Sequence, residues 1–219
     1  AMVSALVTGQ SASVRAFSSP ALARRVSSIL RNRPISAIYA FSGQMAQFVP
    51  AYTQARFVMD FVDMDSAKFE QFARDGSGLS AFANAQEAKR LFAFERSIAN
   101  RAHVSTFVSE AEAALFRQRT GLGADRVVAL ENGIDLDSYN PALPRSPEPA
   151  RQKPLIVFTG QMDYAPNVEA VRIFATEVMP LIRARNSSAT FAIVGRAPTA
   201  EVQSLAMLPG VIVTGGVPD

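Results

Sequence analysis

The sequence predicts an α/β protein with mainly parallel sheets, arranged as two units. Strand, turn and helix patterns alternate along the chain, as they do where helices connect parallel strands. The segment 155–159 is a continuous apolar run, which is typical of a parallel strand buried on both faces. Residues 141–153 carry four prolines and indicate a semi-rigid linker. We therefore expect one unit over 1–140 and a second over 154–219.

The first unit is predicted to begin with a loosely ordered stretch, residues 2–20, and a helix with a basic outer face over 21–31. Beyond Leu79 a helix is predicted with Leu91, Phe94 and Ile98 on its apolar stripe and Glu87 off it. Ser109 and Glu112 have the spacing of a capping box at the start of the next helix. The predicted strands are 35–41, 57–62, 104–108 and 126–130.

The second unit is predicted as strand, helix, strand, helix, strand, with strands over 155–159, 190–194 and 211–214. Pro166 is predicted in the first turn of its first helix, and Pro180 predicts a kink or break in the helical pattern. The second helix is expected over 199–206. This order corresponds to the first half of a Rossmann-type domain.

Composition excludes several classes of protein. The chain has 219 residues, 48% of them hydrophobic, and no cysteine, so it holds neither a disulfide framework nor a thiolate metal site. The formal net charge is +3, and Lys and Arg look scattered along the chain. That balance favours anionic partners such as nucleotide diphosphates or lipid head groups over nucleic acid. No G-x-G-x-x-G or Walker A motif is present, and no cofactor is expected.

The order of several short motifs carries a resemblance. Asn132-Gly133-Ile134-Asp135 is followed by Tyr139-Asn140-Pro141, Phe158-Thr159-Gly160 opens the second unit, and Ile193-Val194-Gly195 closes its second strand. In this the chain resembles the bacterial group 1 (GT4-like) sugar transferases, especially the subset associated with exopolysaccharide export and PEP-CTERM/exosortase clusters. The resemblance implies a GT-B-like fold, in which two Rossmann-like domains hold a nucleotide-sugar donor and an acceptor.

Two aspartates are the catalytic candidates. Asp63 and Asp65 follow a predicted strand, at the sheet edge where α/β proteins present their sites. The resemblance places them near the acceptor and the transferring sugar, although many relatives have a histidine there. With Asp60 they could also form a metal cluster or serve as loop and cap residues, and we expect no metal. His103, the only histidine, is expected to be structural.

The donor-side candidates are Gly160, Asn167, Gly195 and Arg196. Both glycines follow apolar strands, where they serve either tight turns or the approach of a ligand. Arg196 could bind a donor diphosphate or be a solvated loop residue. Gln161 and Asn167 occupy the region where relatives commonly carry a basic residue. Asn132 and Gly133 form a chain reversal tolerant of positive φ and are predicted to be the hinge between the units.

Together these patterns and the resemblance predict part of a glycosyltransferase that moves a sugar from a nucleotide-sugar donor to a glycan or lipid-linked acceptor. The alternative is a non-catalytic α/β binding or interaction module. Because each unit looks like half of a Rossmann-like domain, we expect a fragment that is inactive alone and forms homo-oligomers through uncovered sheet faces. A cytoplasmic location with peripheral contact to the inner membrane is expected.

Overall fold

The computed structural model describes residues 10–140, 142 and 154–217. The described residues form two compact units, divided between Tyr139 and Asn140. The predicted linker 141–153 lies outside the described residues, except for Ala142. None of the described helices is long and apolar enough to cross a membrane.

The first unit is a four-stranded sheet with helices between its strands. Its sheet order is β1-β2-β3-β4, and every neighbouring pair is parallel, which confirms the predicted sheet type. In chain order the elements are α1 (Ala12–Ala16), α2 (Pro20–Asn32), β1 (Ala37–Phe41), a 3₁₀ helix (Gly43–Phe48), β2 (Arg56–Val62), α3 (Asp65–Asp75), α4 (Gly78–Arg101), β3 (Val104–Phe107), α5 (Glu110–Thr120) and β4 (Val127–Ala129).

The core of this unit lies on one face of the sheet. Phe57, Met59 and Phe61 are buried at alternate positions of β2, as the two-residue period of a strand requires. The Phe61 ring stacks on Phe107 with 5.2 Å between centroids, and Phe107 lies 4.9 Å from Phe116 of α5. The other face carries exposed side chains that are largely apolar, namely Tyr39, Phe41 and Val128.

The second unit is a three-stranded parallel sheet of order β5-β6-β7. Phe191 and Ile193 of β6 pack with Val171, Met179 and Val202 from the helices. The elements are β5 (Leu155–Thr159), α6 (Ala165–Ile173), a π-helical turn (Phe174–Val178), α7 (Met179–Arg185), β6 (Thr190–Val194), α8 (Ala200–Ser204), a 3₁₀ turn (Leu205–Met207) and β7 (Val211–Gly215).

The prediction that β5 is buried on both faces is wrong. Val157 is 50% exposed, and Thr159 is exposed as well. Among the described residues β5 is an edge strand, and the core lies on the face that Phe191 and Ile193 share. An apolar run shows that a strand is compatible with burial, but the neighbouring elements decide whether its second face is covered.

The helix that contains Pro180 is irregular, but it does not break there as one alternative of the prediction required. The π-helical turn Phe174–Val178 lies directly before α7, and Pro180 is in the first turn of α7. Proline has no amide hydrogen and its ring crowds the preceding turn, so a wider turn accommodates it without ending the helix.

The capping box forms only in part. The Ser109 hydroxyl accepts a hydrogen bond from the Glu112 amide at 3.3 Å, as predicted. The Glu112 carboxylate instead accepts the Met64 amide at 2.9 Å, which ties α5 to the carboxyl end of β2.

Two α-helices of the first unit are not predicted by the sequence. Within the stretch expected to be loose, α1 is a short helix whose first amides are bound by Glu87. Glu87 is therefore buried, contrary to its expected place off the apolar stripe. Helix α3 begins at Asp65, within the segment expected to be a strand-end loop.

Candidate functional site

The strand-end turns of the second unit are joined by backbone hydrogen bonds. The Gly160 amide donates to Val194 O at 3.1 Å, and the Gly195 amide donates to Gly215 O at 3.0 Å. The Met162 amide donates to Arg196 O at 2.8 Å. Three consecutive parallel strands therefore end in one connected edge, and Gly160, Gly195 and Arg196 all lie on it.

Both glycines have a packing reason to lack a side chain. A Cβ on Gly195 would overlap the carbonyl oxygen of Gly160, and it would lie 2.8 Å from the Gly160 carbonyl carbon. A Cβ on Gly160 would lie 2.7 Å from Asn167 Nδ2. The space beside each glycine is thus filled by this protein's own atoms, in agreement with the tight-turn alternative. Their proposed contact with a ligand stays a prediction.

Asn167 belongs to the first turn of α6 and closes the loop after β5. Its side-chain Nδ2 donates to Gln161 O at 3.0 Å. The backbone amides of Asn167 and Val168 both donate to Tyr164 O, at 2.9 and 3.0 Å. Because these amides already have partners, the start of α6 offers an anion few free donors.

Arg196 is the cationic side chain of this edge. It is exposed, and no carboxylate of the described residues lies within 4.0 Å of its guanidinium. The next residue, Ala197, has a φ of 54°, a left-handed conformation that costs energy for any residue other than glycine. Such strain is commonly found at functional turns, where the surrounding structure maintains it.

In the first unit, Asp63 and Asp65 share one cation. Lys68 Nζ lies 2.5 Å from Asp63 Oδ2 and 3.3 Å from Asp65 Oδ1. Asp65 Oδ2 also accepts a hydrogen bond from Gln44 Nε2 at 2.8 Å. Burial alone would lower the pKa of Lys68, but the two carboxylates together raise it. No group of metal-binding side chains is found among the described residues.

The chain before these aspartates is strained. Val62 has a φ of 71°, which is unusual for a β-branched residue, and the β2–β3 register shifts between Asp60 and Val62. Asp60 Oδ1 accepts the Val62 amide at 3.1 Å, and its other oxygen accepts the Tyr39 hydroxyl. That hydrogen bond raises the pKa of Tyr39. Asp60 thereby supports the bulge that leads to Asp63 and Asp65.

Glu95 lies beneath the same edge and is missed by sequence reasoning. The side chain is only 2% exposed, and its oxygens accept from the Ser66 amide at 3.0 Å and the Ser66 hydroxyl at 2.5 Å. Burial raises its pKa to about 7, against the opposing effect of the Ser66 hydrogen bonds. The available signal was a glutamate on the apolar stripe of α4, four residues after Leu91 and three before Ile98.

The remaining candidates lie apart from these edges. Asn132 and Gly133 are exposed, and neither has a positive φ, so the expected reversal does not form there. The turn comes later, because the Asp135 carboxylate accepts the amides of Asp137 and Ser138 at 3.0 and 3.2 Å. His103 has the expected structural role, since its Nδ1 accepts the Phe57 amide at 3.1 Å.

The comparison with protein-family models gives a match in the second unit. Residues 153–219 match the family model described as Glycosyl transferases group 1. A search of curated proteins found no match to the chain.

Among solved structures, the chain is similar to α,α-trehalose 6-phosphate synthase from Burkholderia multivorans, with a TM-score of 0.50 and 12% identity over 90% of this chain and 50% of that one. It is also similar to an α,α-trehalose-phosphate synthase (UDP-forming) from Burkholderia vietnamiensis, with a TM-score of 0.49 and 12% identity over 89% and 50% of the two chains. The chain thus spans about half the length of these structures. The predicted fold, α/β and GT-B-like with two partial Rossmann-like parallel sheets, is confirmed.

Proposed function

We propose that the chain is part of a glycosyltransferase that moves a sugar from a nucleotide-sugar donor to a glycan or lipid-linked acceptor in exopolysaccharide biosynthesis. The proposal rests on the position of Arg196. This arginine is exposed at the carboxyl edge of a parallel sheet, and it lies inside the segment that matches the group 1 family model. Ligands of α/β proteins bind outside this edge, and the planar guanidinium fork matches the oxygens of a diphosphate.

The geometry of the edge supports distinct roles for its residues. Since Pro166 has no amide hydrogen and the amides of Asn167 and Val168 already have partners, binding of the donor diphosphate depends mainly on the Arg196 side chain. Gly160 and Gly195 keep the two turns close enough for their backbones to meet, and Asn167 closes the loop between them. We therefore assign donor binding to this edge, with Arg196 as the contact to the phosphates.

The other assignments follow from the resemblance. Asp63 and Asp65 are proposed to face the acceptor and the transferring sugar. The segment at Asn132 and Gly133 is proposed as the hinge between domains that cover 1–140 and 154–219. We further propose that the protein belongs to the subset associated with exosortase clusters. It is proposed to be cytoplasmic and to contact the inner membrane peripherally.

One observation favours the alternative function, a non-catalytic binding module. Lys68 contacts both Asp63 and Asp65, and Gln44 donates a hydrogen bond to a further oxygen of Asp65. Carboxylates held in this way are poorly placed to take a proton or stabilise positive charge on a sugar. A protein that binds a nucleotide sugar without turnover would need the second unit alone.

The donor site is tested by calorimetric titration of the 219-residue chain with UDP, GDP and ADP. We expect weak binding of a nucleoside diphosphate, reduced about tenfold or more by Arg196→Ala because hydrogen bonds to charged groups contribute about 1.5–3 kcal/mol. Arg185→Ala, which removes another exposed arginine of the same unit, is the matched control. Unchanged binding by the Arg196 variant would exclude that residue from the site.

Activity separates the two functions. We propose that the 219-residue chain alone transfers no sugar, because transfer needs donor and acceptor held in register, and that a protein extended at both ends is active. The measurement is release of nucleoside diphosphate and glycosylation of acceptor. An extended protein that binds donor but shows no turnover would support the binding module.

A further inference from the structure

A second surface, unrelated to the strand ends, is formed by the amino-terminal part of the first unit. The first 59 residues contain six arginines and no Asp or Glu, so this segment is basic because acidic residues are absent from it. Four of these arginines, Arg24, Arg25, Arg31 and Arg33, lie on α2 or directly after it, and all four are exposed. No carboxylate of the described residues lies within 4.0 Å of any of them. Their positive charge is uncompensated within this part of the protein.

Helix α2 is amphipathic but poorly packed. Leu22, Val26, Ile29 and Leu30 recur at helical spacing, and Arg24 and Arg31 project from the opposite side of the helix. No residue of α2 is buried. Leu22 remains 41% exposed. A helix of this kind, with an arginine-rich side and an aliphatic side that the protein leaves partly uncovered, is typical of helices that lie in a membrane interface.

Exposed aromatic residues accompany the helix. Phe17, just before α2, is 56% exposed, and Tyr52 is 96% exposed. Tyr52 lines a groove of about 520 Å³ together with Leu30, Arg31 and Arg33, so the loop that bears it lies beside the carboxyl-terminal half of α2. Aromatic rings and arginines are the side chains that anchor proteins at the boundary between head groups and acyl chains.

We propose that α2, with Phe17 and Tyr52, is a docking surface for a bilayer that contains anionic lipids. The long arginine side chains extend back to the negative head groups, and Leu22, Phe17 and Tyr52 enter the interface. A nucleic acid would use the arginines but would give the exposed side chains of Leu22, Phe17 and Tyr52 nothing apolar to contact. The inference deepens the peripheral membrane contact in the proposed function by naming the surface, and it does not depend on sugar transfer.

The experiment measures cosedimentation of the 219-residue chain with vesicles. Binding is expected with vesicles of phosphatidylcholine mixed with phosphatidylglycerol, weaker binding with phosphatidylcholine alone, and a decrease as salt rises. Each arginine near an anionic surface contributes about fivefold to partitioning. Arg24→Gln/Arg31→Gln should therefore lower binding on the order of 10- to 30-fold, whereas the control Arg74→Gln/Arg185→Gln, which removes two exposed arginines elsewhere, should change it little.

The apolar part is tested by a second matched pair. Phe17→Ser is expected to lower binding to the mixed vesicles several-fold, and Phe72→Ser, which alters a side chain with the same exposed fraction on α3, should not. Equal losses in the two arginine variants, or equal losses in the two phenylalanine variants, would overturn the proposal. So would equal binding to both vesicle types, or binding to inorganic polyphosphate without binding to vesicles. The vesicle experiment contains no sugar donor, so a negative result would not contradict the proposed donor site. Likewise, loss of nucleotide binding in the titration would not contradict the proposed membrane surface.

Discussion

The two units end their sheets in different ways. In the second unit the strand-end turns are joined by backbone hydrogen bonds and by glycines packed against neighbouring atoms, and Arg196 is their exposed cation. In the first unit the same edge is held by carboxylates, which bind amides, hydroxyls and a lysine. Backbone packing depends little on pH and tolerates no added side chain. A carboxylate network tolerates shape changes better but responds to protonation.

The largest expected effect is that of Gly195→Ala. The new Cβ would overlap backbone atoms of Gly160, which cannot move without breaking the hydrogen bonds that join the strand ends. We expect the free energy of unfolding of the second unit to fall by about 3 kcal/mol or more, or the unit to fail to fold. Urea unfolding followed by circular dichroism measures this.

The matched control is Gly133→Ala. A Cβ there meets no atom within 4 Å, and Gly133 does not have a positive φ. Its effect should stay within about 0.5 kcal/mol. If the two alanine variants unfold alike, the strand-end turns are not held by close backbone packing, and the contrast between the units fails.

The second largest expected effect is the pH-dependent contribution of Glu95 to the free energy of unfolding of the first unit. The pKa of Glu95 is raised from 4.5 to about 7 in the folded protein. Between those values the folded state binds more protons than the unfolded state, so the contribution of Glu95 to the free energy of unfolding falls as pH rises from about 4.5 to about 7. The loss is up to about 3 kcal/mol above pH 7.

Glu95→Gln should abolish this loss, which urea unfolding at pH 5 and pH 8 measures. The stability of the variant relative to the wild type is expected to be higher at pH 8 than at pH 5. Glu87→Gln is a control of opposite sign. Burial raises the Glu87 pKa, but hydrogen bonds from Ser11, Ser13 and Ala12 together lower it, so its stabilisation is lost only as pH falls below about 4.5. A Glu95 variant with the same pH profile as the wild type would contradict the assignment.

These residues also show how far sequence reasoning reaches. Apolar runs predict the strands of the second unit, and Pro180 predicts an irregular helix. Both signals are local in the sequence, so they can be recognised without knowing the tertiary contacts. Glu95 and Glu87 are different. Their burial depends on the partners Ser66 and Ser11, which lie 29 and 76 residues away along the chain. Spacing within one helix cannot reveal such a partner.

The candidate site shows the same limit. The sequence places Gly160, Gly195 and Arg196 after strands, and parallel pairing then brings them to one edge. It does not show that the atoms filling the space beside each glycine belong to the protein itself. Nor does it show that Asp135, three residues beyond Asn132, makes the turn.

The smallest expected effect tests whether the first unit stores strain at its carboxyl edge. Val62 has a left-handed φ of 71°, a conformation that costs an L-residue about 1–2 kcal/mol. Val62→Gly removes this cost, against about 0.5–1 kcal/mol lost to the flexibility of glycine in the unfolded chain. We therefore expect the free energy of unfolding to stay unchanged or rise by up to about 1 kcal/mol. Val58→Gly, at a residue of the same strand without positive φ, should lower it by about 1–2 kcal/mol. Equal losses in the two variants, measured by urea unfolding, would show that the bulge before Asp63 is relaxed and that Asp60 supports no strained geometry there.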